Sequence, residues 1–249
     1  MLGRRDGLLA VDKPAGWLTH ADGATDRPDV VGFLGDGVGV HMRLDVDTTG
    51  VLVFSTDPAA ARRLQAAFED RTARKRYLAV VEGSPPADEG VLEGPVPRAP
   101  GRPATTRYRV RRRGDGWTLI DVRPETGRTH QIRAHLAAAG CPLRGDGLYG
   151  DPLDLRAPRV LLHCARVDLG DVRFEAPPPP DFARYLGHPP AATRAGLLAD
   201  AGTTCYRLVH GVADGFPGVD VDRYGDWLLV HQPPAPPAPA PAGPRRVSA

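Results

Sequence analysis

"MRLDVDTTGVLVFST", residues 42–56, is the stretch on which the fold turns. Its second half, from Gly50, is an unbroken apolar run bounded by turn residues, the pattern of a strand buried on both faces. Its first half sets Arg43, Asp45 and Asp47 at the mouth of that strand, followed by a Thr48-Thr49-Gly50 turn. Asp47 is placed to cap the turn, as Asp side chains commonly do. Charge at a strand mouth has a plain explanation, a solvated loop. It has a sharper one too, a catalytic carboxylate held on a rigid mount.

The sequence on either side supplies the rest of a sheet. "GLLAVDKPAG" (7–16) is a short strand ending in a Pro-Gly turn. "DPAAARRLQAAFEDR" (57–71) is a helix, with Asp57 as N-cap and Pro58 in the first turn. Leu64 and Phe68 share its inner face at i, i+4. "RYLAVVEG" (76–83) is a strand. "ATTRYRVRRR" (104–113) and "WTLIDVR" (117–123) form an antiparallel pair through Gly114-Asp115-Gly116. "THQIRAHLAAAG" (129–140) is a helix that Thr129 would cap and Gly140 would end. "RVLLHCARVDL" (159–169) is strand again. Strands and helices mix without regular βαβ alternation, so the class is α+β with a largely antiparallel sheet.

The pattern breaks at "FEAPPPPDF" (174–182), because four prolines cannot pair within a central strand. The main domain is therefore expected over 1–188, a small second block over 189–232, and an extended Pro/Ala tail over 233–249.

Composition excludes several classes. Hydrophobic residues make up 41% and charged residues 25% of the 249, which is ordinary for a globular protein. No window approaches a membrane span, and the N-terminus lacks the apolar core of a signal peptide. Cys141, Cys164 and Cys205 form no CxxC pair, which fits a reducing cytoplasm and no disulfide scaffold. Net charge is only +2, so total charge alone does not announce a nucleic-acid binder. Arg107, Arg109, Arg111 and Arg113 alternate along one strand and would share a face. That stripe is either a set of phosphate contacts or a solvated sheet face.

"RPETGRTHQIRAHLAAAGCPLRGDGLYG" (123–150) crowds Arg128, His130, Gln131, Arg133 and His135 around one helix start. A helix N-terminus carries unpaired N–H groups and positive potential, so added Arg and amide groups make a site for an anion or a polar base. Ile132 and Leu136 would anchor the other side in the core. The plainer alternative is a solvated face of an amphipathic helix. Zinc is not expected: the five-residue spacing of His130 and His135 separates them around a helix, and no cysteine pair helps.

Taken together, "RLDVDTTGVLVFSTD", "KRYLAVVEG" and "TGRTHQIRAHL" with the later "PLRGDGLYG" resemble the signature segments of RluA/RsuA-type pseudouridine synthases, over about residues 7–178. "LLAVDKPAGWLTH" resembles the family's opening strand and KPxG turn, and "LLHCARVDL" its late strand. Two departures are visible. Met42 stands where the RluA type usually has His before RLD, with His41 one place earlier, and the usual TSG is TTG.

The resemblance implies the pseudouridine synthase fold, an RNA partner (rRNA or tRNA), and isomerisation of uridine without cofactor or metal. It implies Asp45 as the catalytic carboxylate, suited to nucleophilic attack or proton removal. It implies Arg133 as the cation that keeps Asp45 ionised, and Tyr77 as a ring stacking on uracil whose hydroxyl helps deprotonate carbon 5. Arg43 would fill the gap left by a flipped nucleotide. Thr49, Arg128, His130 and Gln131 complete the expected substrate contacts. An S4-type module is not expected ahead of residue 7.

A second resemblance lies in "YRLVHGVADGFPGVDVDRYGDWLLVHQ" (206–232), which is similar to the segment preceding the catalytic domain of RlmI-type rRNA cytosine methyltransferases. No Gly-rich cofactor loop follows, so a truncated fusion partner with a hairpin at Gly225-Asp226 is expected rather than methyl transfer. The remaining alternative is a silent RNA-binding or assembly factor of the same fold.

Overall fold

A computed structural model describes residues 1–153, 156–187, 205–210, 220–224 and 227–231. The chain divides into two units, Met1–His188 and Pro189–Ala249. The first begins with β1 (Gly3–Arg5) and β2 (Leu8–Lys13), a hairpin turned on Asp6 and Gly7, both with positive φ. This is the two-residue turn whose twist suits paired strands. A short helix α1 (Val30–Leu34) and β3 (Gly39–Val40) lead to β4 (Thr49–Ser55), every residue of which is buried. Helix α2 (Pro58–Glu69) follows, with Asp57 Oδ1 accepting from Ala60 N at 2.7 Å as expected of the cap. Leu64 is buried in the core, and Phe68 is half-buried at the rim of a cleft.

Strands β5 (Arg74–Glu82), β6 (Glu89–Val96), β7 (Ala99–Gly114) and β8 (Trp117–Pro124) build the second half of the sheet. Strands β7 and β8 meet at Gly114↔Trp117, the tight hairpin legible in the sequence. Helix α3 (Gln131–Ala138) packs against β6 and β7, and β9 (Leu162–Leu169) and β10 (Val172–Glu175) follow. A 3₁₀ turn (Pro180–Phe182) and α4 (Ala183–Leu186) cover the back of the sheet.

The strand order is β1-β2-β4-β9-β5-β8-β7-β6, with β3 and β10 added at β4 and β9. Every pairing is antiparallel except β4 with β9, where Thr49 faces His163 and Gly50 faces Cys164. The approach there is close: a Cβ on Gly50, whose φ is +108°, would come within 2.2 Å of the Cys164 carbonyl oxygen. Only glycine fits that position. Strand β9 thus joins two half-sheets that are otherwise separate.

Because side chains alternate along a strand, β5 feeds two cores. Tyr77, Ala79 and Val81 join the main cluster with β2, β4 and α2, while Leu78 and Val80 pack beneath Phe182 and Tyr185.

Three of the four arginines in the β7 stripe are paired with carboxylates. A bulge between Val110 and Arg112 interrupts the alternation. Arg107 pairs with Glu125 at 2.5 Å, Arg111 with Asp121 at 3.3 Å and Arg113 with Asp88 at 2.7 Å. Exposed pairs of this kind contribute about 0–1 kcal/mol each.

In the second unit, β11 (Cys205–His210), β12 (Asp220–Tyr224) and β13 (Trp227–His231) form an antiparallel three-stranded sheet. The expected turn at 225–226 and the Pro/Ala tail at 233–249 fall outside the described residues. Among the described residues no helix is long and apolar enough to cross a membrane.

Candidate active site

A cleft of about 1410 Å³ opens at the mouth of β4 and is lined by Arg43, Asp45, Tyr77, Arg128, His130 and Arg133, with others. The loop carrying Asp45 is pinned at consecutive residues. Met42 and Leu44 turn inward and are buried, so Arg43 faces out and is exposed. Thr19 Oγ1 bonds both the N–H and the carbonyl of Leu44. The buried Lys13 ammonium donates to Val46 O at 2.7 Å, and also to Trp17 O at 2.8 Å and Pro14 O at 3.0 Å. Burial pulls the Lys13 pKa down to about 8. Arg159 Nη1 donates to Asp47 O at 2.9 Å. Thr48 N closes the turn on Asp45 O at 3.0 Å, a bond that replaces the capping expected from the Asp47 side chain. These bonds fix the backbone on either side of Asp45 and leave its carboxylate directed at the cleft.

Arg133, from the first turn of α3, has two carboxylates. Asp146 takes Nε at 2.7 Å and Nη2 at 2.8 Å, a bidentate pair, while Nη1 reaches Asp45 Oδ2 at 3.4 Å. Asp146 has no exposed side-chain surface and also accepts from the Leu148 and Tyr149 amides. Burial opposes the Arg133 charge, but the Asp146 hydrogen bonds and the charges of Asp146 and Asp45 outweigh it and raise its pKa. Burial likewise opposes ionisation of Asp146, and Arg133 outweighs that, so its carboxyl lies below the usual carboxylate range. Asp146 therefore aims Arg133, and Arg133 offers its remaining N–H to Asp45.

His130 adopts the left-handed region, φ +57°, and is the N-cap residue of α3 without a capping side-chain bond. Thr129 does not cap the helix as the sequence had suggested. Gln131 organises the turn instead: its Oε1 accepts from Thr126 Oγ1 at 2.6 Å and Arg128 N at 3.1 Å. Burial first, then the Arg133 and Arg98 charges, pull the His130 pKa down, so its 4.0 Å approach to Asp45 is to a neutral ring near pH 7. His130 Nδ1 lies 3.3 Å from Tyr149 Oη, and Tyr149 also faces the Arg133 guanidinium.

Tyr77 reaches the cleft from β5. Its phenol is buried and hydrogen-bonded to the Cys164 thiol, and burial, reinforced by Cys164 and Asp45, raises its pKa well above the usual value. The ring forms a wall of the cleft; the hydroxyl stays neutral.

The expected residues thus separate into two groups. Asp45, Tyr77, Arg133, Arg43, Arg128 and His130 share the cleft. Gln131 borders it, but its amide is fully engaged, Nε2 donating to Thr105 O and Thr106 Oγ1. Thr49 is buried with its hydroxyl against His163 Nδ1 at 2.9 Å and Arg159 Nη2 at 3.4 Å, which makes it a joint between β4 and β9 rather than a substrate contact. His41, at the rim, bonds Ser55 Oγ at 3.0 Å. Sequence reasoning gave no role to Lys13, Asp146, Tyr149 or Arg159. The quoted "KPAG" and "RGDGLYG" contained three of them, but nothing in the spacing shows that an aspartate thirteen residues after Arg133 folds back onto it. Among the described residues no group of His, Cys, Asp and Glu is placed to hold a metal ion.

The sheet with its covering helices defines a fold class. A solved structure titled human RNA pseudouridylate synthase domain containing 1 superposes with TM-score 0.62 at 24% identity, over 74% of this chain and 84% of that one. Another, domain containing 4, gives 0.59 at 23%, over 72% and 88%. The sequence profile of the RNA pseudouridylate synthase family matches residues 7–138, more than half the chain, and this protein belongs to that family. It is 35% identical over 215 residues to ribosomal large subunit pseudouridine synthase D of Nitrosomonas europaea, over 73% of this chain and 62% of that protein. It is 33% identical over 199 residues to the dual-specificity RNA pseudouridine synthase RluA of Escherichia coli, covering 69% of this chain and 90% of that one.

Proposed function

We propose that this chain is an RNA uridine isomerase in which Asp45 is the catalytic carboxylate. The observation that supports it is the convergence of Asp45, Arg133 and Tyr77, distant in sequence, on one cleft. The reaction breaks the bond from the ribose anomeric carbon to uracil N1, forms one to carbon 5, gives N1 a proton and releases the hydrogen of carbon 5. A carboxylate suits the step in which the glycosidic bond breaks. Arg133 meets one oxygen of that carboxylate and leaves the other for the substrate. The Tyr77 ring offers a stacking face for uracil. A base inside a helix must be extruded, at a cost of a few kcal/mol, and exposed Arg43 beside the cleft is placed to occupy the gap. The RNA is rRNA or tRNA, and the site works without cofactor or metal.

Transcripts of unmodified rRNA and tRNA labelled with tritium at uridine carbon 5 test this. The wild type should release label, and Asp45→Asn should release none while still binding RNA. Absence of release by the wild type from both RNAs would refute the reading and leave an RNA-binding protein of the same fold.

A further inference from the structure

Of the 32 lysine and arginine residues only two are lysine, Lys13 and Lys75. Lys13 has three backbone carbonyls around its ammonium. Lys75 has no such environment. It lies on β5 two residues before Tyr77, hence on the same face, and both line the cleft. Its ammonium stands 5.8 Å from the centre of the Phe68 ring. Among the described residues it has neither a hydrogen-bond acceptor nor a carboxylate in ion-pair range.

Gly127 lies beside that ammonium. A Cβ on Gly127 would touch the Lys75 ammonium at 3.7 Å, so the missing side chain leaves space beside it. Arg128, immediately following, lines the same cleft, and its Nε is buried without a partner. Withdrawing a cationic donor from water without an acceptor is unfavourable. Two cationic side chains that line one cleft without an acceptor, with a glycine next to both, are the complement of an anionic oxygen. Glu125, nearby, is taken by Arg107 and does not neutralise them.

We propose that Lys75 and Arg128 bracket a subsite for one backbone phosphodiester of the RNA, beside the nucleotide that enters the cleft. The inference takes RNA as the ligand from the preceding section. A phosphodiester offers two unesterified oxygens, one for an ammonium and one for a guanidinium N–H. Gly127 keeps the space between them clear. Tyr77 and the phosphate subsite then lie on one face of β5, so gripping the backbone also sets the depth at which the base meets Asp45.

Lys75→Met tests the subsite, because it keeps an unbranched stem over Phe68 and removes only the charge. Binding of unmodified rRNA transcript is measured from about 50 to 200 mM KCl, with thermal melting alongside. The variant should melt no lower than the wild type, bind about tenfold more weakly at the low-salt end, and show a log–log salt slope shallower by about 0.7–0.9. Arg128→Gln should give the same change from a loop position and carries the test if Lys75→Met fails to fold. An unchanged slope in a folded variant overturns the subsite. A shallower slope with no tritium release by the wild type would keep the subsite and remove the isomerase reading. Tritium release with an unchanged slope would do the reverse.

Discussion

Arg133 has two carboxylate partners of different kinds. Asp146, itself fully buried, holds it through two short bonds, whereas Asp45 meets it through one long bond at a partly exposed site. The short pair fixes the guanidinium, and the long one leaves the Asp45 carboxylate open to the cleft. Asp146→Asn halves the acceptor capacity and strips the charge that offsets a buried guanidinium, so it should cost roughly 3–5 kcal/mol in urea unfolding. Tritium release should fall as well, because Arg133 would no longer be aimed. A variant as stable as the wild type would show that Asp146 is not the anchor. Tyr77→Phe should leave RNA affinity within about twofold, since the ring is kept and the hydroxyl faces Cys164 rather than the cleft. Tyr77→Ala, which removes the stacking face, should weaken binding of the same transcript by about 1–3 kcal/mol.

At the level of elements, the parallel seam of β4 and β9 carries a titratable joint. His163 Nε2 donates to Ala176 O and Nδ1 accepts from Thr49, so the ring is neutral. Burial is the main cause of a pKa pulled down to about 4 from the ordinary 6.5. Between those values the unfolded chain binds a proton that the folded one refuses. The contribution of His163 to stability is therefore complete above about pH 6.5 and is lost as pH falls toward 4. Urea titrations across that window should show a steeper loss for the wild type than for His163→Asn, and equal slopes would contradict the assignment. The strands and helices themselves were largely legible. The apolar run of β4, the Asp57 cap of α2 and the tight β7–β8 turn are local signals, and local physics decided them. What the sequence could not reveal was tertiary. The polar cluster before α3 looked like one site, yet Gln131 and His135 point inward to Thr106 while Arg128, His130 and Arg133 face the cleft. A helical wheel does not predict which polar residue the neighbouring strand will claim. Thr49 was hard to place for a related reason: its neighbour in sequence is the Asp45 loop, but its neighbour in space is β9.

Over the whole molecule, the sheet is assembled from distant pieces. Asp45 meets Arg133 across 88 residues, Asp47 meets Arg159 across 112, and Thr49 meets His163 across 114. Contacts of such span are closed late and slowly. The middle position of β9 makes the order of synthesis matter. In the finished sheet β1 to β4 pair among themselves and β5 to β8 among themselves, so a chain emerging without β9 has a hydrophobic border on each set where that strand will dock. Unpaired borders of this kind invite association with other chains. A nascent chain halted at Pro158 should accordingly precipitate or be retained by chaperones, although it already contains Asp45, Tyr77 and Arg133. Extending it through Gly187 should restore soluble, compact protein in one step.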